Sequence, residues 1–282
     1  IASDKKANLG QNLKIKKKVY ESNYNWGDQT LAFNNITKVK DGYLIAGKQR
    51  NKQGVLIKLN QNLEQKWDTT FTSPVLDVIA VDDEQAVLIT KHQIIKIDER
   101  GREKWRKNCD SALNDLEKLS STKFLIAGSK DSQGWLAQFT IDGKPTWEQI
   151  YAGSKPRSLK TVTKTKNGDL VAAGEIKSNH SWHVSSKAYV VRVDSTGNKT
   201  KWSKIFSRPD AWGASFSAVI ETSQQKIVLV GADGYIVKLE QDGQIIWKQT
   251  HPGFTVNYTG IKEIKNGKLV LVGQQSIGRS YG

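Results

Sequence analysis

One phrase recurs about every 45 residues in this chain. It consists of an apolar strand ending in Gly, a second apolar strand, a polar turn and then Trp. The clearest copies occupy residues 43–67, 124–147, 170–202 and 227–247, a weaker one residues 87–105, and an incomplete one residues 269–273. Self-similarity at this period predicts a repeat architecture in which each unit packs against its neighbours.

Each copy divides into four strand patterns, which we name A to D in chain order. Strand A alternates apolar and polar residues, which predicts a half-buried strand. Strand B is continuously apolar, which predicts burial on both faces. Gly follows it at positions 47, 128, 174, 231 and 273, and Thr90 takes its place in the second copy. Such a Gly allows an unusual φ or a close approach to a neighbouring sheet.

Strands C and D carry two further recurrent residues. Strand D holds Trp67, Trp105, Trp147, Trp202 or Trp247, which we interpret as packing anchors between adjacent sheets. Strand C repeats a long polar residue at Lys58, Lys96, Gln138, Arg192 and Lys238. We interpret these side chains as packing with their stems while their polar heads stay in solvent.

Four antiparallel strands repeated about six times, without helical periodicity, predict an all-β fold, a six-bladed β-propeller of four-stranded antiparallel blades. The whole chain, 1–282, is then one propeller domain. The predicted blades are 30–73, 74–110, 111–152, 153–207, 208–251, and 252–282 together with 1–20. The last copy lacks strands C and D, so we expect residues 13–20 to supply its D strand and close the ring, with residues 1–7 as a possible strand C.

The pattern D-x-x-G-x-x-x-W, complete at 98–105, resembles the tryptophan-docking repeats of bacterial quinoprotein-like propellers. The whole unit resembles secreted bacterial propeller proteins and lipoproteins, including outer-membrane assembly propellers. The resemblance implies an exported monomer in the periplasm, at the cell surface or secreted, with a possible lipid anchor before Ile1. No apolar run approaches the ~20 residues of a transmembrane helix, and the lack of an initiating Met favours a processed N-terminus.

The composition indicates which chemical classes of partner the chain could bind. The formal net charge is +15, from 43 Lys and Arg against 28 Asp and Glu. This excess favours an anionic glycan, another cell-envelope polymer, an anionic membrane or nucleic acid; the alternative is a solvated Lys-rich surface. The single cysteine, Cys109, allows no internal disulfide and is expected to be a small buried residue.

The expected site lies on the face formed by the D–A and B–C connections, which we expect to be longer and more irregular than the A–B and C–D turns. Aromatic, histidine and arginine residues map to this face. The candidate binding residues are Trp26, Trp182, Trp212, His180, His183, His251, Phe254, Arg50, Arg157 and Arg208. The alternative for the three Trp residues is that they pack the loops against the blades.

We therefore expect a non-enzymatic binding or scaffold propeller that holds a protein or an anionic glycan. One alternative is a propeller hydrolase, lyase or cyclase that uses loop residues such as Asp28, Asp110 and Asp210. Nucleic-acid binding is a third possibility. No cofactor is expected, and no metal either, because His180 and His183 have no Cys or carboxylate beside them.

Overall fold

The computed structural model describes residues 31–180, 183–207, 213–250 and 255–276, all within the unit that begins at Leu31. This part of the chain contains 22 strands and two single-turn 3₁₀ segments, Ala232–Gly234 and Lys265–Gly267. The strands are β1 Leu31–Val39, β2 Gly42–Gln49, β3 Gly54–Asn60, β4 Gln65–Phe71, β5 Asp77–Ala80, β6 Ala86–Ile89, β7 Gln93–Ile97, β8 Glu103–Asn108, β9 Ala112–Lys118, β10 Lys123–Lys130, β11 Gln133–Thr140, β12 Pro145–Tyr151, β13 Arg157–Lys164, β14 Leu170–His180, β15 His183–Val193, β16 Thr200–Phe206, β17 Phe216–Glu221, β18 Ile227–Gly231, β19 Tyr235–Leu239, β20 Ile245–Thr250, β21 Thr255–Glu263 and β22 Leu269–Ser276.

The strands form six sheets in which every consecutive pair is antiparallel. Five sheets have four strands in the order A-B-C-D, and the sixth consists of β21 and β22 within the described residues. The A strands β1, β5, β9, β13, β17 and β21 follow one another side by side. These features confirm the all-β propeller. The closing strands at 1–7 and 13–20 lie outside the described residues, so the closure of a sixth blade stays a prediction.

Five buried apolar clusters hold the sheets together, and each fills the space between two consecutive sheets. The B strands lie at their centre: Val87, Leu88 and Ile89 are fully buried, as continuous apolarity predicts. The first sheet is less buried on its outer side than the sheets that follow it. Phe33 in the first sheet is 49% exposed, whereas its equivalents Leu113 and Phe216 are fully buried against a preceding sheet.

The D-strand Trp residues dock onto the next sheet, which confirms their role as packing anchors. The rings of Trp67, Trp105, Trp147 and Trp202 lie against Gly101, Gly143, Gly197 and Gly243, which all have positive φ. A Cβ added to Gly197 would lie 2.6 Å from the Trp147 ring. Gly at this turn therefore serves both the left-handed backbone and the close approach of the indole.

The Gly that ends the apolar part of strand B has another explanation. None of the five has a positive φ, and the strand continues past Gly47, Gly128, Gly174 and Gly273, whereas β18 ends at Gly231. In five sheets the partner A strand has a bulge opposite this Gly. A Cβ added to Gly128 would lie 2.1 Å from the Ala112 carbonyl oxygen. In the second sheet Thr90 replaces Gly and no bulge is recorded between the A and B strands.

For four of the five C-strand polar residues, all except Lys238, the interpretation that the polar heads stay in solvent is wrong. Each lies directly across from the docking Trp of strand D, and the side chains of Lys58, Gln138 and Arg192 are buried. Lys58 pairs with Asp41, and Arg192 forms an ion pair with Asp169 at 2.8 Å. Burial of Lys58 and Arg192 is tolerated because each of these two charges has a partner.

Candidate functional site

The connections on the expected face are tighter than the sequence suggests. Only Asp131 and Ser132 join β10 to β11, and both have positive φ, as in a two-residue hairpin. The segment 176–187, which contains the B–C connection of the fourth sheet, belongs mainly to β14 and β15, which pair as far as His180 and His183. The expectation of long irregular B–C loops is therefore wrong, because β2, β10 and β14 extend past the Gly of strand B.

The structure describes only some of the predicted site residues. Trp26, Trp182, Trp212, His251, Phe254 and Arg208 lie outside the described residues. The backbones of His180 and His183 form the last pair of the β14–β15 hairpin, and their side chains are not described. Arg50 is exposed in the connection after β2. Arg157 begins β13 and lines a pocket.

This pocket, which we call the basic pocket, has a volume of about 440 Å³ and lies where the second, third and fourth sheets meet. All of its lining residues come from the B–C and D–A ends of these sheets, so it opens on the expected face. They are Lys91, Ala112, Asn114, Ser129, Ser132, Pro156, Arg157, Ser158, Lys160, Glu175 and Lys177.

Two bulge residues shape the wall of the basic pocket. Asn114 and Lys160 are the extra residues in the A-strand bulges of the third and fourth sheets. A bulge re-aims the side chain of the inserted residue. The Asn114 amide donates to the Leu159 carbonyl at 2.8 Å and to the Ser158 hydroxyl at 3.0 Å, which joins the two sheets at this point.

The charge of the pocket is strongly asymmetric. Its lining includes four cationic side chains, from Lys91, Arg157, Lys160 and Lys177, and one carboxylate, Glu175. The Lys160 ammonium lies 2.9 Å and the Lys177 ammonium 3.9 Å from Glu175 oxygens. With hydroxyl groups beside the cations, the wall presents donors suited to an anionic ligand.

Arg157 is held in place by an aromatic ring. Its guanidinium carbon lies 4.9 Å from the centre of the Tyr189 ring, a cation–π geometry. Arg157 Nε is buried and has no hydrogen-bond partner among the described residues. Gly153 leaves room for the guanidinium, because an added Cβ there would lie 1.9 Å from Arg157 Nη2.

A layer of carboxyl groups lies along the same A strands. The carboxyl groups of Asp77 and Asp115 are hydrogen-bonded to each other. Asp77 accepts from the Leu116 N–H at 2.7 Å, and Asp115 accepts from the Val162 N–H at 2.7 Å, so each links two sheets. Burial raises the pKa of Asp77 to about 6. Burial, and the charge of Asp77, raise the pKa of Asp115 well above its usual range.

Sequence reasoning found Arg157 but missed most of the pocket. Lys91 and Ser129 could have been found by aligning the repeats, because each follows the Gly position of strand B. Asn114 and Lys160 could not have been found in this way. They lie at bulges, which interrupt the period-two alternation and have no sequence signature of their own. The Asp77–Asp115 contact was also missed, because it joins strands that are distant in the chain.

Three further observations concern the described part of the chain. No group of three or more His, Cys, Asp or Glu side chains there is arranged to hold a metal ion. None of its helices has the length and apolarity of a membrane span. Burial raises the pKa of the half-buried Cys109 thiol, which disfavours the thiolate form that a nucleophile requires.

Solved structures share the architecture at low sequence identity. A protein of unknown function from Bacteroides caccae is 13% identical with a TM-score of 0.62, over 85% of each chain. BamB from Moraxella catarrhalis is 18% identical with a TM-score of 0.52, over 86% of this chain and 85% of that one. The C-terminal WD40 domain of Sif2 is 14% identical with a TM-score of 0.61, over 86% of this chain and 64% of that one. These similarities establish the propeller fold.

Curated proteins give no match to this sequence. The family model described as "Outer membrane protein assembly factor BamB" matches residues 14–211. The matched region is more than half of the 282 residues and includes every residue that lines the basic pocket. The chain therefore belongs to the BamB family of quinoprotein-like β-propellers.

Proposed function

We propose that this protein is a non-enzymatic scaffold propeller that holds a protein partner by an acidic segment bound at the basic pocket. The observation that carries the proposal is the composition of the pocket wall. Four cations and three serine hydroxyls surround a single carboxylate. Clustered cations with adjacent hydroxyl donors attract carboxylates both at long range and by charge-assisted hydrogen bonds.

Family membership supports a protein as the partner. The family description names an outer membrane protein assembly factor, and assembly requires contact with other proteins. We infer that this chain is also exported and acts at the cell envelope. A glycan or another anionic polymer remains the alternative ligand of the same face, because it presents the same charges.

The arrangement of the pocket supports binding better than catalysis. Its single carboxylate, Glu175, is paired with Lys160 and Lys177. To accept a proton from a substrate, this carboxylate would first have to give up its contacts with the two ammonium groups. Within the described lining, the enzyme alternative therefore gains no support.

Binding of a fluorescent hexaglutamate peptide, measured by anisotropy, tests the proposal. We expect Lys91→Gln to weaken binding about two- to fivefold, because a partly exposed ion pair contributes about 0.3–1 kcal/mol. Arg157→Lys keeps the charge but loses the planar contact with Tyr189, so its loss should be smaller. Raising the salt from about 50 mM to about 300 mM should weaken wild-type binding.

Matched controls come from the opposite, turn-bearing face. Lys40 and Arg100 are exposed in an A–B and a C–D turn, so Lys40→Gln and Arg100→Gln remove the same charges away from the pocket. Equal losses in Lys91→Gln and Lys40→Gln would show that only net charge matters and would overturn the proposal. Tighter binding of a sulfated glycan fragment or of oligothymidine than of hexaglutamate would favour those polymer classes instead.

A further inference from the structure

The basic pocket contains its own anion. Glu175 is only 14% exposed, and both of its carboxylate oxygens face lysine ammonium groups, from Lys160 and Lys177. The other two cations of the lining, Lys91 and Arg157, make no ion pair with a carboxylate among the described residues. The pocket is therefore divided into a half that is already neutralised and a half that is not.

Comparison of the sheets shows how unusual this carboxylate is. The residue after the Gly position of strand B lies at the B–C end of every sheet. In chain order these residues are Lys48, Lys91, Ser129, Glu175, Ala232 and Gln274. Glu175 is the one acid among them, and it stands opposite Ser158 and beside the bulge residue Lys160.

The Lys160–Glu175 contact is favoured by the backbone. Because Lys160 is the inserted residue of the bulge, its side chain is aimed toward the adjacent β14 strand. A carboxylate held within the same chain competes with any incoming one at a high effective concentration. An external carboxylate must therefore displace Glu175 to reach Lys160.

We propose that Glu175 is an internal competitor that occupies the Lys160–Lys177 half of the basic pocket until an acidic partner displaces it. This inference rests on the proposed function, since it concerns the same pocket. It also specifies the partner: a ligand with several adjacent carboxylates can bind first at Lys91 and Arg157 and then exchange with Glu175. A ligand with a single carboxylate gains contact only with the unpaired half.

The variant Glu175→Gln tests the competition, with hexaglutamate as the probe. The amide keeps the shape of the side chain but releases both lysines, so we expect hexaglutamate to bind about fivefold more tightly than to wild type. Its binding should also fall more steeply with salt, because more ion pairs form. In a Lys160→Gln background the gain should be much smaller, because no ammonium remains there to release.

Asp131→Asn is the matched control. Asp131 is exposed in the two-residue turn of the same face, and its φ of 51° suits Asn. It changes the net charge equally without touching Lys160. If Glu175→Gln binds hexaglutamate no more tightly than wild type, Glu175 is not an internal competitor. The proposed function would still stand if Lys91→Gln loses affinity. Equal tightening in Asp131→Asn would overturn the competitor role too, and binding by neither wild type nor Glu175→Gln would overturn both proposals.

Discussion

The outer and inner strands of this propeller repeat in different ways. At the rim, four D-strand Trp rings make the same contact with a glycine of the next sheet. On the inner A strands, the residue that pairs with the last apolar residue before the Gly position of strand B changes from sheet to sheet. It is Asn35, Asp77, Asp115, Thr161, Ala218 and Gly260 in turn.

The difference follows from what each contact requires. A flat indole that packs onto a turn needs a position without a Cβ, and this requirement fixes both residues of the rim contact. An inner position needs only to leave the strand intact, so its side chain is free to vary. Polar side chains are therefore found on the inner A strands, such as the Asp77–Asp115 pair and the pocket residues Asn114 and Lys160.

The largest expected effect concerns the inner bulge. In Gly231→Ala the new Cβ would lie 1.8 Å from the Ser215 carbonyl oxygen, a backbone atom that cannot move without loss of the bulge. We expect a loss of about 4 kcal/mol in the free energy of unfolding, measured by urea denaturation. Thr90→Ala is the control, because the second sheet already carries a Cβ at this position. Similar losses in both variants would contradict the bulge explanation.

The buried carboxyl groups give the next effect, a dependence of stability on pH. Burial raises the pKa of Asp77 to about 6 and that of Glu117 to about 7, so the folded state binds protons that the unfolded state releases. The stability that these groups contribute is complete below their unfolded pKa of about 4 and is lost as the pH rises through about 6 to 7.

Asp77→Asn tests this assignment, since the amide oxygen can still accept from the Leu116 N–H. Between about pH 4 and about pH 8 we expect wild type to lose about 2.5 kcal/mol more than the variant, by urea denaturation at each pH. Identical pH profiles would show that Asp77 does not carry the dependence.

The smallest expected effect is a difference in stability between two Gly→Ala variants. It separates the clash with a docked Trp ring from the strain of a left-handed backbone. Gly197→Ala adds a Cβ 2.6 Å from the Trp147 ring at a φ of 75°, whereas Gly168→Ala meets nothing within 4 Å at a φ of 89°. Both should lose about 1 kcal/mol for the left-handed backbone. Gly197→Ala should lose about 2 kcal/mol more from overpacking. Equal thermal stabilities would contradict docking as the reason for this Gly.

The parts that sequence predicted are those with a regular signal. Period-two alternation, all-apolar B strands and the recurrent Trp predict the strands and their order, because burial imposes these patterns directly. The recurrent Trp also predicts an anchor between adjacent sheets. Its partner, the Gly of the C–D turn in the next sheet, is revealed by the structure.

The parts that sequence could not predict depend on contacts between sheets. The burial of Arg192 follows from Asp169 and from the Gln241 carbonyl oxygen, which belong to another strand and another sheet. The basic pocket collects residues from three sheets, and its two wall residues are bulged. Neither feature produces a residue pattern at a fixed spacing in the sequence.

Hydrogen exchange with and without hexaglutamate shows which strands the ligand contacts, and so tests whether it binds at the basic pocket. We expect slower amide exchange at the B–C and D–A ends of the third and fourth sheets, in residues 112–114, 129–132 and 156–160. The Trp-docking turns at the rim, such as residues 98–101, should exchange at the same rate with and without the ligand. Protection confined to those turns would place the acidic ligand on the other face and contradict binding at the basic pocket.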